Sequence, residues 1–237
     1  MIPLKDTIPS RTFPIVNVIL IGINVFVFFI ELSLGPRLEE VFLTFGVIPA
    51  KYLWLAEHEP GNWFERFYPL FTSMFLHGGW MHILGNMWYL WIFGDNVEER
   101  MGHVRYFFFY ILCGLAAAFT HIYMNPTSGI PTVGASGAIA GVMGAYFILF
   151  PHSRVITLVP IFFFVDIIEI PAFFYLAFWV ILQLFQGTLA LAAPANTGGV
   201  AWWAHFGGFV AGAVLVFLFR KRKKTLPRVY PDQYFPW

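Results

Sequence analysis

Four polar side chains of chemically useful type interrupt otherwise apolar stretches: His77, His82, Asn86 and His205; Ser136 opens a further such stretch. A strongly polar group in an apolar, membrane-length segment is costly, and its default reading is functional. His82 and Asn86 are four positions apart, so on a helix they share one face. His77 falls about 180° from Asn86 at about 100° per residue. It sits in Phe75-Leu76-His77-Gly78-Gly79 and reads as a separate structural or gating group. Ser136 at a helix start would lie among free backbone N–H groups at the positive end of the helix dipole. Those are the ingredients of an oxyanion site. A serine becomes a nucleophile only with a base beside it. Asp166 and Glu169 fall toward the other end of the chain's apolar segments, and no carboxylate is expected at the depth of Ser136, which leaves His77, His82 and His205. The residues at 204, 208 and 212 are small at four-residue spacing, as are Gly137, Gly141 and Ala145. Two such faces pack closely in a membrane, and that packing would bring His205 to Ser136. The chemistry in view is acyl transfer. The same residue types also suit a His-ligated metal or haem, or a transport path, and the residues by themselves leave these open. GASG is not the G-x-S-x-G elbow of soluble hydrolases, because Ala138 fills the last position and no strand precedes it.

The elements that must position these groups are set by composition. Hydrophobic residues make up 59% of the 237 and charged residues 11%, with a mean hydropathy of +0.70. A soluble domain carries about 25% charged residues, so a soluble or disordered chain is excluded. Cys113 is the only cysteine, which excludes an internal disulfide and a cysteine-based zinc site. Six segments approach the roughly 20 apolar residues that a spanning helix needs: 14–34, 70–93, 104–123, 136–150, 171–192 and 201–219. The first reads as a spanning helix rather than a cleavable signal. A seventh run, 155–168, is broken by Pro160 and reads as a loop or interfacial strand. Six spans place Lys5, Arg11, Arg100, Arg105, Arg154 and the tail from Arg220 on one side, which the distribution of positive charge makes cytosolic. The loop over 35–68 on the other side is rich in Trp, Phe and Tyr and reads as interfacial. The fourth span is short: 15 residues cover about 22 Å of a hydrocarbon core about 30 Å thick. The segment 125–134 must then dip inward to meet Ser136, and irregular backbone at that depth requires surrounding protein or a wet cavity.

The motifs resemble those of the rhomboid intramembrane serine proteases. His77-Gly78-Gly79-Trp80-Met81-His82-Ile83-Leu84-Gly85-Asn86 resembles the family's H-x4-H-x3-N pattern. Gly134-Ala135-Ser136-Gly137 resembles its G-x-S-G. Ala204-His205-Phe206-Gly207-Gly208 with Gly212 resembles A-H-x-x-G-x-x-x-G, and Glu98-Glu99-Arg100-Met101-Gly102 resembles E-x-R-x-G. The four motifs span about 70–219 in the family's order.

The resemblance implies an all-α, polytopic six-transmembrane helical bundle, its fourth helix entered by a re-entrant loop. A single membrane domain would occupy 1–237, with its core at 70–219 and a basic tail at 220–237. It implies a dyad of Ser136 as nucleophile and His205 as base. His82, Asn86 and the Ser136 backbone would bind the oxyanion. Structural roles fall to His77, Gly134, Gly137, Glu98, Arg100, Gly208 and Gly212. The partners would be transmembrane segments of other membrane proteins and the lipid bilayer, with no cofactor, metal or nucleic acid. A catalytically silent relative that binds transmembrane clients is the alternative. Two positions depart from the pattern of some members: Tyr68-Pro69 stands where they carry Trp-Arg, and Ala140 where they carry an aromatic beside the base. The short loops suggest a prokaryotic cytoplasmic membrane.

Overall fold

The computed structural model describes residues 1–161, 164–191 and 200–221. Most of the uncharged loop 194–200 and the basic tail beyond Lys221 lie outside the described residues. Among the described residues the chain forms a helical membrane bundle built on six helices of 14 to 22 residues. Long helices α5 (Trp80–Met101), α6 (His103–Met124), α8 (Ala172–Leu191) and α9 (Trp202–Phe219) pack around the 14-residue α7 (Ser136–Leu149), and α1 (Ile15–Leu34) packs on α5 and α6. Short helices α2 (Leu38–Phe45), α3 (Pro49–His58) and α4 (Trp63–Thr72) build the first loop. Among the described residues, by length and apolarity alone, four helices qualify as spans: α1 continued to Phe45, α6, α8 and α9. α7 is shorter, and α5 carries Asp95, Glu98, Glu99 and Arg100 in its last two turns.

Those polar turns shift the second span from the expected 70–93 to 80–101. Residues 70–72 finish α4 and 73–75 form a 3₁₀ turn. Gly79, at φ +154°, starts α5 in a conformation that side chains disfavour. At the other end Asn96 and Glu98 are buried within protein rather than lipid. Hydropathy therefore underrates this turn of helix.

Glu98 explains why a carboxylate belongs there. Its two oxygens accept the backbone N–H groups of Val16 (2.9 Å) and Asn17 (2.7 Å), two of the free donors at the start of α1. His103 Nδ1 is 2.5 Å from the same carboxylate. Asn17 then donates to the Leu90 carbonyl and accepts from Tyr106 Oη. One polar knot thus joins α1, α5 and α6. Arg100 lies over the Phe150 ring, and its carbonyl accepts the Lys221 N–H.

The run expected as loop or interfacial strand is a hairpin of β2 (Arg154–Ile161) and β3 (Phe164–Pro171). An unanticipated strand, β1 (Ile2–Asp6), completes an antiparallel sheet of order β1-β2-β3. Pro160 is tolerated in β2 because β1 pairs no further than Leu158. β1 fastens the helix ends: Trp88 Nε1 donates to the Pro3 carbonyl, and Asp6 accepts from Asn96 Nδ2 and Tyr146 Oη.

The first loop is anchored without a Trp-Arg pair. Tyr68 Oη donates to the Thr44 carbonyl (2.7 Å) and Thr72 Oγ1 to the Phe45 carbonyl (2.7 Å). The Arg66 guanidinium covers the ring of Tyr52.

α7 is enclosed by protein, with every residue from Gly137 to Tyr146 buried. Its small face meets that of α9 in register. A Cβ at Gly208 would run into the Gly137 carbonyl, and one at Gly212 into the Gly141 carbonyl. Replacing Gly212 by Val should therefore force α9 away from α7 and lower the melting temperature in detergent. Glu98→Ala should cost about 2–4 kcal/mol, because two helix-start donors lose their acceptor. Glu98→Gln, which retains one acceptor oxygen, should lose roughly half as much in the same melting experiment.

Candidate active site

The re-entrant segment between α6 and α7 is punctuated by Pro126, Gly129, Pro131 and Gly134, which forbid a regular helix. Its backbone is held by protein instead. Val47 and Thr132 exchange both N–H···O bonds (3.0 and 2.8 Å), Ala50 N–H donates to the Ser128 carbonyl, and Gly134 N–H donates to the Ser73 carbonyl (2.8 Å). Thr132 Oγ1 is 2.9 Å from His121 Nε2. These ties fix the entry to α7, whose first residue is Ser136.

The glycine contact between α7 and α9 sets Ser136 beside His205, with Oγ and Nε2 2.8 Å apart. The other ring nitrogen, Nδ1, lies 2.7 Å from Gln183 Oε1 on α8. Trp179, also on α8, lies along the imidazole with ring centroids 5.9 Å apart, and Trp202 meets it edge-on at 6.3 Å. The flank of the His205 imidazole is therefore supplied by α8 and α9 rather than by position 140, where Ala140 is fully buried.

His82 and Asn86 share a face of α5 that looks at Gly134, two residues before Ser136. A Cβ on Gly134 would stand 2.6 Å from His82 Nε2 and 3.6 Å from Asn86 Nδ2. Gly134 has φ +128°, so both the space and the backbone require glycine. The Gly78 N–H donates to His82 Nδ1 (3.3 Å). A neutral imidazole that accepts at Nδ1 carries its proton at Nε2, so His82 presents a donor toward the start of α7. Asn86 is buried, and among the described residues its Nδ2 has no hydrogen-bond partner. Two donors thus converge on the backbone just ahead of Ser136.

His77 precedes α5 rather than sitting on it. It is buried, its ring lies edge-on to that of His82 with centroids 5.1 Å apart, and its N–H donates to the Glu31 carboxylate (3.0 Å). The expectation of no carboxylate at this depth is thus corrected: Glu31, on α1, is buried and holds the His77 turn. Gly137 packs on Ala117 of α6, and Gly208 and Gly212 on α7. Glu98 and Arg100 lie at the far end of α5, in the knot described above. Ser136 also lines a small cleft to which Ser73, His121 and Thr132 contribute polar groups. The rings of His82 and His205 are not part of its wall.

Gln183 and Glu31 were not identified from the sequence. Each is a polar residue in an otherwise apolar run, the signal that picks out His205, but Gln186 shares the run with Gln183, and Asn17 and Asn24 share the run with Glu31. Among the described residues no three His, Cys, Asp or Glu side chains are grouped to hold a metal ion.

The sequence profile of the Rhomboid domain matches residues 65–222. Similar proteins include Rhomboid-like protein 11, chloroplastic, of Arabidopsis thaliana, 30% identical over 81% of this chain and 64% of its own length. Rhomboid protein 1, mitochondrial, of Saccharomyces cerevisiae is 27% identical over 60% of this chain and 39% of its own length. Rhomboid protease GluP of Bacillus subtilis is 29% identical over 56% of this chain and 24% of its own length. The chain spans less than two thirds of each of these relatives. Their names place them in plastid and mitochondrion as well as a bacterium, so they lend no support to a specifically prokaryotic membrane. With two thirds of its length matched by the profile, and with His82, Asn86, Ser136 and His205 gathered at the start of α7, the chain belongs to the rhomboid family.

Proposed function

We propose that this chain is an intramembrane serine endopeptidase that cuts transmembrane segments of other membrane proteins. The observation that carries the reading is the 2.8 Å approach of Ser136 Oγ to His205 Nε2 in the presence of the facing donors of His82 and Asn86. In the proposed reaction Ser136 Oγ attacks the scissile carbonyl carbon while His205 Nε2 takes its proton. The carbonyl oxygen becomes an oxyanion that accepts from His82 Nε2–H, Asn86 Nδ2–H and the Ser136 backbone N–H. His205 then gives its proton to the departing amine, and an acyl-enzyme remains. A water, deprotonated by His205, attacks that ester; the second product leaves as the acyl–Oγ bond breaks, and His205 returns the proton to Ser136 Oγ. Every proton passes through one imidazole, and no cofactor takes part.

A bilayer helix shields its own amides, so the scissile segment has to unwind. Glycine and other weak helix formers near the cut would make this cheaper. With the basic residues facing the cytosol, Ser136 lies in the opposite half of the membrane, and cleavage occurs near the outer end of the substrate helix.

The test is cleavage of a transmembrane reporter carrying a Gly-rich outer turn, with both proteins in proteoliposomes. Ser136→Ala and His205→Ala should each abolish product. Asn86→Ala should slow turnover by about 10²–10³, the usual loss for one oxyanion donor. Cleavage undiminished in Ser136→Ala would overturn the reading. A folded wild type that captures the reporter without cutting it would instead support a client-binding protein.

A further inference from the structure

We infer that Gln183 is the positioning residue that sets the tautomer and ring orientation of His205, an inference that rests on the Ser–His reading above. A neutral imidazole carries one proton on two nitrogens, and the partner of one nitrogen decides the state of the other. To accept the Ser136 proton, Nε2 must be bare and Nδ1 must carry the hydrogen. Nδ1–H then needs an acceptor, and Gln183 Oε1 is 2.7 Å away.

Gln183 is 7% exposed in the middle of a 20-residue apolar helix. A buried amide in such a helix costs free energy unless it is hydrogen-bonded, so its presence there calls for a partner, and His205 supplies one. Trp179 lies four residues earlier on the same face of α8 and flanks the same imidazole. One turn of α8 thus holds the base in two ways, with an amide oxygen on Nδ1 and an indole along the ring.

The amide has a direction. Turned end for end, Gln183 would offer its NH₂ group. Nδ1 would have to accept, and the proton would sit on Nε2, pointing at the serine that the base must deprotonate. The oxygen-inward arrangement is the one compatible with a Ser136 hydroxyl donating to Nε2. A neutral amide does this without adding a buried charge, which would be expensive at this depth.

The full chain in proteoliposomes, with the transmembrane reporter, separates this role from packing. Gln183→Met keeps the volume and removes the acceptor. Its kcat should fall roughly ten- to a hundred-fold, part of the 10²–10⁴ that a positioned base supplies, with KM near that of wild type. Wild-type kcat in Gln183→Met overturns the inference. Should Gln183→Met fail to fold, the ¹⁵N spectrum of histidine-labelled wild type still decides: His205 protonated at Nδ1 and bare at Nε2 supports the role, and the reverse tautomer overturns it. Undiminished cleavage by Ser136→Ala would instead contradict the underlying Ser–His reading, and the tautomer result would stand apart from it.

Discussion

Backbone contact between α7 and α9 governs the candidate active site. Gly208 rests on the Gly137 carbonyl and Gly212 on the Gly141 carbonyl, with no room for a side chain at either crossing. Lipid tails are as apolar as leucine, so helices in a bilayer gain little from hiding apolar surface and associate through close packing and hydrogen bonds. Glycine lets these two backbones approach until Ser136 and His205, one near the start of each helix, come within a hydrogen bond. Any side chain that widened the gap would break that bond first.

The second constraint is that backbone polar groups inside a membrane must be satisfied by protein. α7 is too short to span alone, so the chain must enter it at depth, and the entry loop is hydrogen-bonded to Val47, Ser73 and His121. At the opposite end Glu98 caps α1 and Asp6 ties β1 to α5 and α7. Both ends of the site-bearing helix are thereby held by groups distant in sequence. The donors on α5 owe their aim to the same arrangement, since Gly134 is the only residue type that leaves room for the rings facing it.

Much of this was legible in the sequence, and the exceptions have physical causes. Ser136, His82, Asn86 and His205 stand out because polar groups are rare in apolar runs, and the four-residue glycine faces announce the helix pair. Hydropathy ends the second span at 93 because it measures preference for lipid, whereas Asn96 and Glu98 are buried against other helices and have partners there. β1 left no pattern, since five residues that include Lys5 and Asp6 become a strand only by pairing with a segment about 150 positions away. Gln183 and Glu31 carried the right signal, a polar residue in an apolar helix. Their partners depend on how α8 and α1 are rotated in the bundle, which periodicity alone does not fix. The aromatic support of the base likewise moved to Trp179 on another helix, leaving Ala140 as the only trace in the sequence.

The central claim is that His205 activates Ser136. It is tested most directly by treating the protein in bilayers with a fluorophosphonate and mapping the modified peptide by mass spectrometry, for wild type and His205→Ala side by side. The account predicts a phosphonyl group on Ser136 in wild type and none in His205→Ala. Modification of a different residue, or equal modification of Ser136 without the imidazole, would contradict it.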